Sequence, residues 1–172
     1  MELYGERGFE QTTVAEIARR AGLTERTFFR HFADKREVLF AGADSLQEVL
    51  VSAVADAPGS LPPIGAVAVG LEAVALMLQP GRDYSRERQA VIAANPELQE
   101  RELIKLATIA AALAVVLRGR GVGEPAASLT AEAGIAVFKI AFERWVDASD
   151  DHDLSQLIRE SLDELRAVTA AA

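Results

Sequence analysis

The chain has 172 residues, a formal net charge of −8 and no cysteine, which excludes disulfides, thiolate metal sites and cysteine nucleophiles. Half of the residues are hydrophobic and only 6% are aromatic. With no long alternating segment, that composition predicts an all-α fold. No basic stretch precedes an apolar signal segment, and the longest nearly unbroken apolar run, Leu106–Leu117, is short of the ~20 residues that span a bilayer. The expectation is a cytoplasmic protein with no membrane partner.

Residues 1–40 carry seven Arg/Lys and seven Asp/Glu, so the whole acidic excess lies in residues 41–172. Residues 1–40 are thus formally neutral and residues 41–172 acidic. A neutral segment meets a polyanion through local contacts, with little help from the overall field. Thr13-Val14-Ala15-Glu16 has capping-box spacing, which starts a helix at Val14. Val14, Ile17, Ala18 and Ala21 then form one buried face. Gly22 suits a left-handed backbone after this helix. Thr24 caps the next, with Leu23 and Phe28 spaced as a hydrophobic staple.

In the second helix, Glu25–Phe32, Phe28 and Phe32 share a face toward Ile17 and Ala21. Glu25, Arg26, Phe29 and Arg30 point the other way. Two short helices joined by a tight turn match the helix-turn-helix geometry, whose second helix enters the DNA major groove. There Arg26 would donate twice to a guanine and Glu25 would accept from a cytosine amine. Thr13, Thr24, Thr27, His31 and Lys35 are the remaining candidates, mainly as phosphate donors. Asp34-Lys35-Arg36-Glu37 repeats the capping-box spacing and predicts another helix opening at Lys35. Spacing alone equally describes a solvated amphipathic helix pair.

The run GFEQTTVAEIARRAGLTERTFFRHFADKREVLF resembles the N-terminal domain of the TetR family of bacterial transcriptional regulators. The likeness covers residues 5–40 and includes Gly8-Phe9, Thr12-Thr13, Ile17-Ala18, Ala21-Gly22, Thr27, His31-Phe32 and Lys35. It implies a three-helix DNA-binding head, and a helical body that binds a small-molecule effector and forms a homodimer. The expected partners are therefore a double-stranded DNA operator with an inverted repeat, a second copy of the chain and an effector. Two departures stand out. Phe29 occupies the position of a family tyrosine whose hydroxyl bonds a phosphate. The family's first helix also begins well before Gly5, so the one here reads as truncated.

In the body, Val38–Ala55 should continue helically from the cap at Asp34. Pro58-Gly59-Ser60 and Pro62-Pro63 mark a linker. Residues 64–78 return to helix, loosened by Gly65 and Gly70, and stop at Pro80-Gly81. Residues 85–94 form a short polar helix. Asn95-Pro96-Glu97 then opens a long one, with Asn as cap and Pro first. Its second half, Leu106–Leu117, is apolar all round and should be buried on every side. Helices over about residues 125–148 and 154–168 complete the body.

Met77, Phe138, Phe142 and Trp145 are candidate apolar lining for an effector pocket. Arg82, Arg86, Arg88 and Arg144 are candidates to meet an anion, such as a carboxylate or the phosphates of a thioester carrier. Phe138, Phe142 and Trp145 fall at i, i+4 and i+7, which equally describes a core face. The Leu154, Leu157, Ile158, Leu162 and Leu165 stripe fits the homodimer interface implied by the resemblance, or an intramolecular core helix. Asp147, Asp150, Asp151 and Asp153 lack the glycine and terminal glutamate of a calcium loop; Asp153 reads as a cap with Gln156. His31 and His152, the only histidines, have no second ligand at metal spacing. No metal, cofactor or catalytic activity is expected. The alternative to a regulator is a family-shaped ligand-binding or interaction module that does not bind DNA.

Overall fold

The computed structural model describes residues 1–148 and 152–170. The head contains α1 (Glu2–Arg7), α2 (Val14–Arg20) and α3 (Glu25–His31). Beyond it lie α4 (Ala43–Asp56), α5 (Pro63–Leu78), α6 (Arg82–Ala93), α7 (Pro96–Gly119), α8 (Ala126–Asp147) and α9 (Leu154–Ala170). A 3₁₀ turn, Gln79–Gly81, joins α5 to α6, and no strand occurs among the described residues. The chain is all-α.

The body is built around α5, which packs against α4, α8 and α9. Two glycines allow this close approach. A Cβ on Gly70 would lie 2.6 Å from Val54 and 2.8 Å from Leu50 of α4, and one on Gly134 would lie 2.6 Å from Val67 of α5. Gly70 is thus a packing contact rather than a loose point in the helix. By length and composition alone Pro63–Ala93 would pass as a membrane span. Within this fold α5 is a core helix, with Val67, Leu71 and Val74 buried.

Helix ends in the body are closed by arginines. Arg120 donates to the carbonyls of Val54 (3.0 Å), Ala57 (2.7 Å) and Pro58 (2.9 Å) at the end of α4. Unpaired C-terminal carbonyls carry partial negative charge, so a guanidinium there is stabilising.

Three sequence expectations change here. Asp34 does not open a helix. Its Oδ1 accepts the N–H groups of Arg36 (2.8 Å) and Glu37 (3.3 Å), but the chain then runs through turns until α4 begins at Ala43. The returning half of the box is missing because the Glu37 carboxylate is held by Arg101 (2.7 Å) and Lys105 (3.5 Å) of α7. Asn95 occupies the N-cap position of α7 without a side-chain cap bond; its amide donates back to the Val91 carbonyl at 2.7 Å. The second half of α7 is one-sided, with Ile109, Leu113 and Leu117 buried while Ala111 and Val115 face outward.

The leucine stripe of α9 also turns inward. Leu154, Leu157, Ile158 and Leu162 are buried in the chain's own core against α5 and α8, and Leu165 packs on the same cluster. They do not form a free dimer surface, because α9 would otherwise leave one face of α5 uncovered. Asp153 closes this helix as expected of a cap, although its Oδ1 accepts from Ser155 N–H at 2.9 Å. Asp150 and Asp151 lie outside the described residues.

Candidate nucleic-acid interface and effector cavity

The head is held by local caps and a few long-range ties. Thr13 and Glu16 form the reciprocal capping box of α2, and the Thr24 side chain accepts the Thr27 N–H at 3.2 Å to cap α3. Gly22 has φ +69° between them, a conformation that costs a residue with a Cβ about 1–2 kcal/mol. Phe28 is buried and stacks on Phe32 at 5.3 Å, while Ala18 is the fully buried residue of α2. Val14 and Ile17 are half-buried, but Ala21 and Leu23 are exposed, so the expected four-residue face and the staple are only partly formed. Helix α2 ends at Arg20, so Ala21 stands beyond its packed face.

The outward face of α3 carries Glu25, Arg26, Phe29 and Arg30, all exposed. Arg26 makes no hydrogen bond or ion pair among the described residues, so its guanidinium keeps all five donors. Arg30 approaches the exposed His31 at 3.4 Å. Phe29 is 54% exposed and meets Phe28 edge-on, presenting an apolar surface beside the two arginines. Thr13, Thr24 and Thr27 are committed to the caps, each through its hydroxyl.

Lys35 departs most from expectation. Its ammonium donates to the carbonyls of Phe9 (2.8 Å), Glu10 (3.1 Å) and Thr12 (3.1 Å) and sits over the Phe9 ring. Three donors are thereby used, so Lys35 ties the α1–α2 turn to the end of the head instead of reaching out to a phosphate. The Tyr4 hydroxyl strengthens the same junction by donating to the Lys35 carbonyl at 2.7 Å. Burial pushes the Tyr4 phenol above its ordinary range, which keeps it a donor.

Beneath the head is a cavity of about 280 Å³ lined by residues of α4, α5, α6, α7 and α8. Met77, Phe138 and Phe142 line it, as the sequence suggested, with Leu46, Leu106 and Ile109. Arg88 also lines it. The other four pocket candidates lie elsewhere. Arg82 donates to the carbonyls of Trp145 (3.0 Å) and Ala148 (2.8 Å), and Arg86 to that of Val146 (2.8 Å), closing the end of α8. Arg144 pairs with Glu160 at 2.7 Å. Trp145 is fully buried in the core. Helix ends compete successfully for these guanidiniums because their carbonyls are otherwise unsatisfied.

Sequence reasoning missed Ser85, Gln89, Glu102 and Lys105, which also line the cavity. The signal was present: Gly81, Tyr84, Ser85, Arg88 and Gln89 recur at i, i+3, i+4, i+7 and i+8 along α6. Arg88 links cavity and head directly. It donates to the Leu39 carbonyl at 2.7 Å, pairs with Glu102 at 3.1 Å and lies over the Phe40 ring. Nearby, Tyr4, Phe9, Leu39 and Phe40 of the N-terminal region share a buried cluster with Ile92 of α6 and Leu98 of α7.

Comparison with known proteins matches this architecture. Residues 1–41 match the family model described as bacterial regulatory proteins, tetR family, and residues 61–170 match the MftR C-terminal domain. The chain belongs to the TetR family. The HTH-type transcriptional regulator TcmR of Streptomyces glaucescens is 36% identical over 74 residues, a match spanning 43% of this chain and 33% of that protein. Two solved TetR-family structures from Thermus thermophilus share the fold. PfmR is 22% identical with a TM-score of 0.51, covering 94% of this chain and 91% of that one. FadR, a TetR-family repressor solved with lauroyl-CoA, is 24% identical with a TM-score of 0.55, covering 96% and 89%.

Proposed function

We propose that this TetR-family chain is a ligand-responsive, DNA-binding transcriptional repressor, acting in the cytoplasm as a homodimer on an inverted-repeat operator. The observation that carries the reading is the Arg26 guanidinium, exposed and uncommitted on a capped helix whose other face is locked by Phe28. Glu25, Phe29, Arg30 and His31 complete the reading surface, while Thr13, Thr24 and Thr27 set its orientation. Residues 1–40 form the reading head and residues 41–172 the sensing body. The alternative of a module without DNA contact is disfavoured by the full match of the head to a family of regulators.

A homodimer face is supported by exposed apolar residues on α7 and α8, two helices packed against each other. Ile104 and Val115 on α7 are 48% and 58% exposed, and Leu129 and Ile140 on α8 are 66% and 52% exposed. Apolar residues this exposed on adjacent helices favour burial against an identical partner, which would pair like patches across a two-fold axis. The exposed side of α9 is instead charged, with Arg159, Asp163 and Arg166.

Regulation follows from the Arg88 connection. A ligand entering the cavity meets the same side chain that holds the Leu39 carbonyl, so occupancy is felt where the head joins the body. A differential affinity of ~1–3 kcal/mol between head positions would change operator affinity about 5–150-fold. Selection from random duplexes tests the whole reading. Enrichment of an inverted repeat, with half-sites about 10 bp apart or a multiple of that, supports it. No enrichment by a folded dimer contradicts it.

A further inference from the structure

We infer that the cavity takes a neutral, largely apolar ligand whose single polar end carries a hydroxyl or N–H group. The inference rests on the cavity being the effector site and adds the chemistry of its ligand.

Every cation around the cavity already has a counter-charge. Arg88 is paired with Glu102, Lys105 with Glu37 at 3.5 Å, and Lys139 with Glu143 at 3.9 Å. An anionic ligand that took Arg88 would leave the Glu102 carboxylate without its charge partner. A cationic ligand meets carboxylates that already have cations, Glu102 with Arg88 at 3.1 Å and Glu143 with Lys139 at 3.9 Å.

Among the described residues, two polar groups on the solvent-shielded side of α6 have no hydrogen-bond partner. Ser85 is buried and lines the cavity, and its hydroxyl has no protein partner there. One turn on, Gln89 lines the same cavity, and its Oε1 is enclosed with no hydrogen bond. The amide donates to Glu102 at 3.4 Å and cannot be relieved by flipping, since that would set Oε1 against the Glu102 carboxylate. A buried acceptor without a donor costs free energy, and a modest rotation about the soft terminal torsion of Gln89 lets a ligand donor relieve it. A hydroxyl satisfies both groups at once, accepting from Ser85 and donating to Gln89. The rest of such a ligand would lie against Phe138, Phe142 and Met77.

Naphthol, naphthalene and naphthoate test this on the full chain with isotope-labelled methionine methyl groups. Met77 lines the cavity and is one of only two methionines, so its signal reports occupancy. Naphthol should bind at least about ten-fold tighter than either analogue, the equivalent of one good hydrogen bond. Ser85→Ala combined with Gln89→Met should abolish the preference over naphthalene. If that variant fails to fold, the three affinities of the unaltered chain still decide. Naphthalene or naphthoate binding as tightly as naphthol overturns the ligand chemistry alone. If none of the three shifts the Met77 signal, the cavity is not an effector site and both readings fall.

Discussion

Lys35 and Arg26 show how one charge type takes opposite roles a few residues apart. Lys35 is drawn in by three carbonyls that the α1–α2 turn leaves unpaired, whereas nothing in the chain competes for Arg26. Lys35→Met should therefore destabilise the head by roughly 1.5–3 kcal/mol, the range for hydrogen bonds to a charged group, as read by thermal or denaturant unfolding. The salt dependence of DNA binding should be unchanged, since no phosphate contact is lost. Arg26→Ala should leave stability intact, weaken operator binding by ~1–3 kcal/mol and relax the preference at one base pair in a competition titration. Which residues face outward on α3 was legible from helical angle alone. The capture of Lys35, Arg82 and Arg86 was not, because their acceptors are backbone carbonyls up to 66 positions away, and every sequence has carbonyls.

Elements governed by local chemistry were the legible ones. The capping box at Thr13, the cap at Thr24, the proline start at Pro96 and the turn at Gly22 depend on neighbours within four residues, and the structure reproduces each of these starts. Asp34 failed as a helix start because Glu37 was claimed by α7, a tertiary contact that spacing does not encode. The α9 stripe was read correctly as amphipathic, but amphipathicity cannot say whose core is being filled.

The head caps also make stability pH-dependent. Hydrogen bonds from Thr13 hold the Glu16 carboxyl below its usual range, and bonding to Arg36 does the same for Asp34. A depressed folded value means the stabilisation is present above the ordinary carboxylate range and is lost as pH falls through the folded value. Unfolding of the head, followed by amide exchange, should thus become easier on acidification, and Glu16→Gln with Asp34→Asn should flatten that slope. At the α4–α5 contact, Gly70→Ala should cost about 1–3 kcal/mol by overpacking against Leu50 and Val54, measured as a lowered unfolding midpoint.

For the whole molecule, the all-α fold was readable from composition and periodicity, and the acidic excess beyond residue 40 from the charge count. The cavity was half readable: the aromatic and methionine wall followed from α5 and α8, whereas Ser85, Gln89 and Glu102 required knowing how α6 meets α7. Ile140→Glu places a charge on the exposed α8 surface and should convert dimer to monomer in sedimentation while leaving the helical signal unchanged. Arg88→Met, which removes the tie to the Leu39 carbonyl, should shrink the factor by which ligand alters DNA binding.

The most direct measurement is an anisotropy titration of the full chain against duplexes from its own upstream region, comparing an intact inverted repeat with a single half-site at moderate salt. The expected result is specific, dimer-dependent binding to the intact repeat that weakens on Arg26→Ala. Equal affinity for both duplexes and for both proteins would contradict the assignment of α3 as the reading helix.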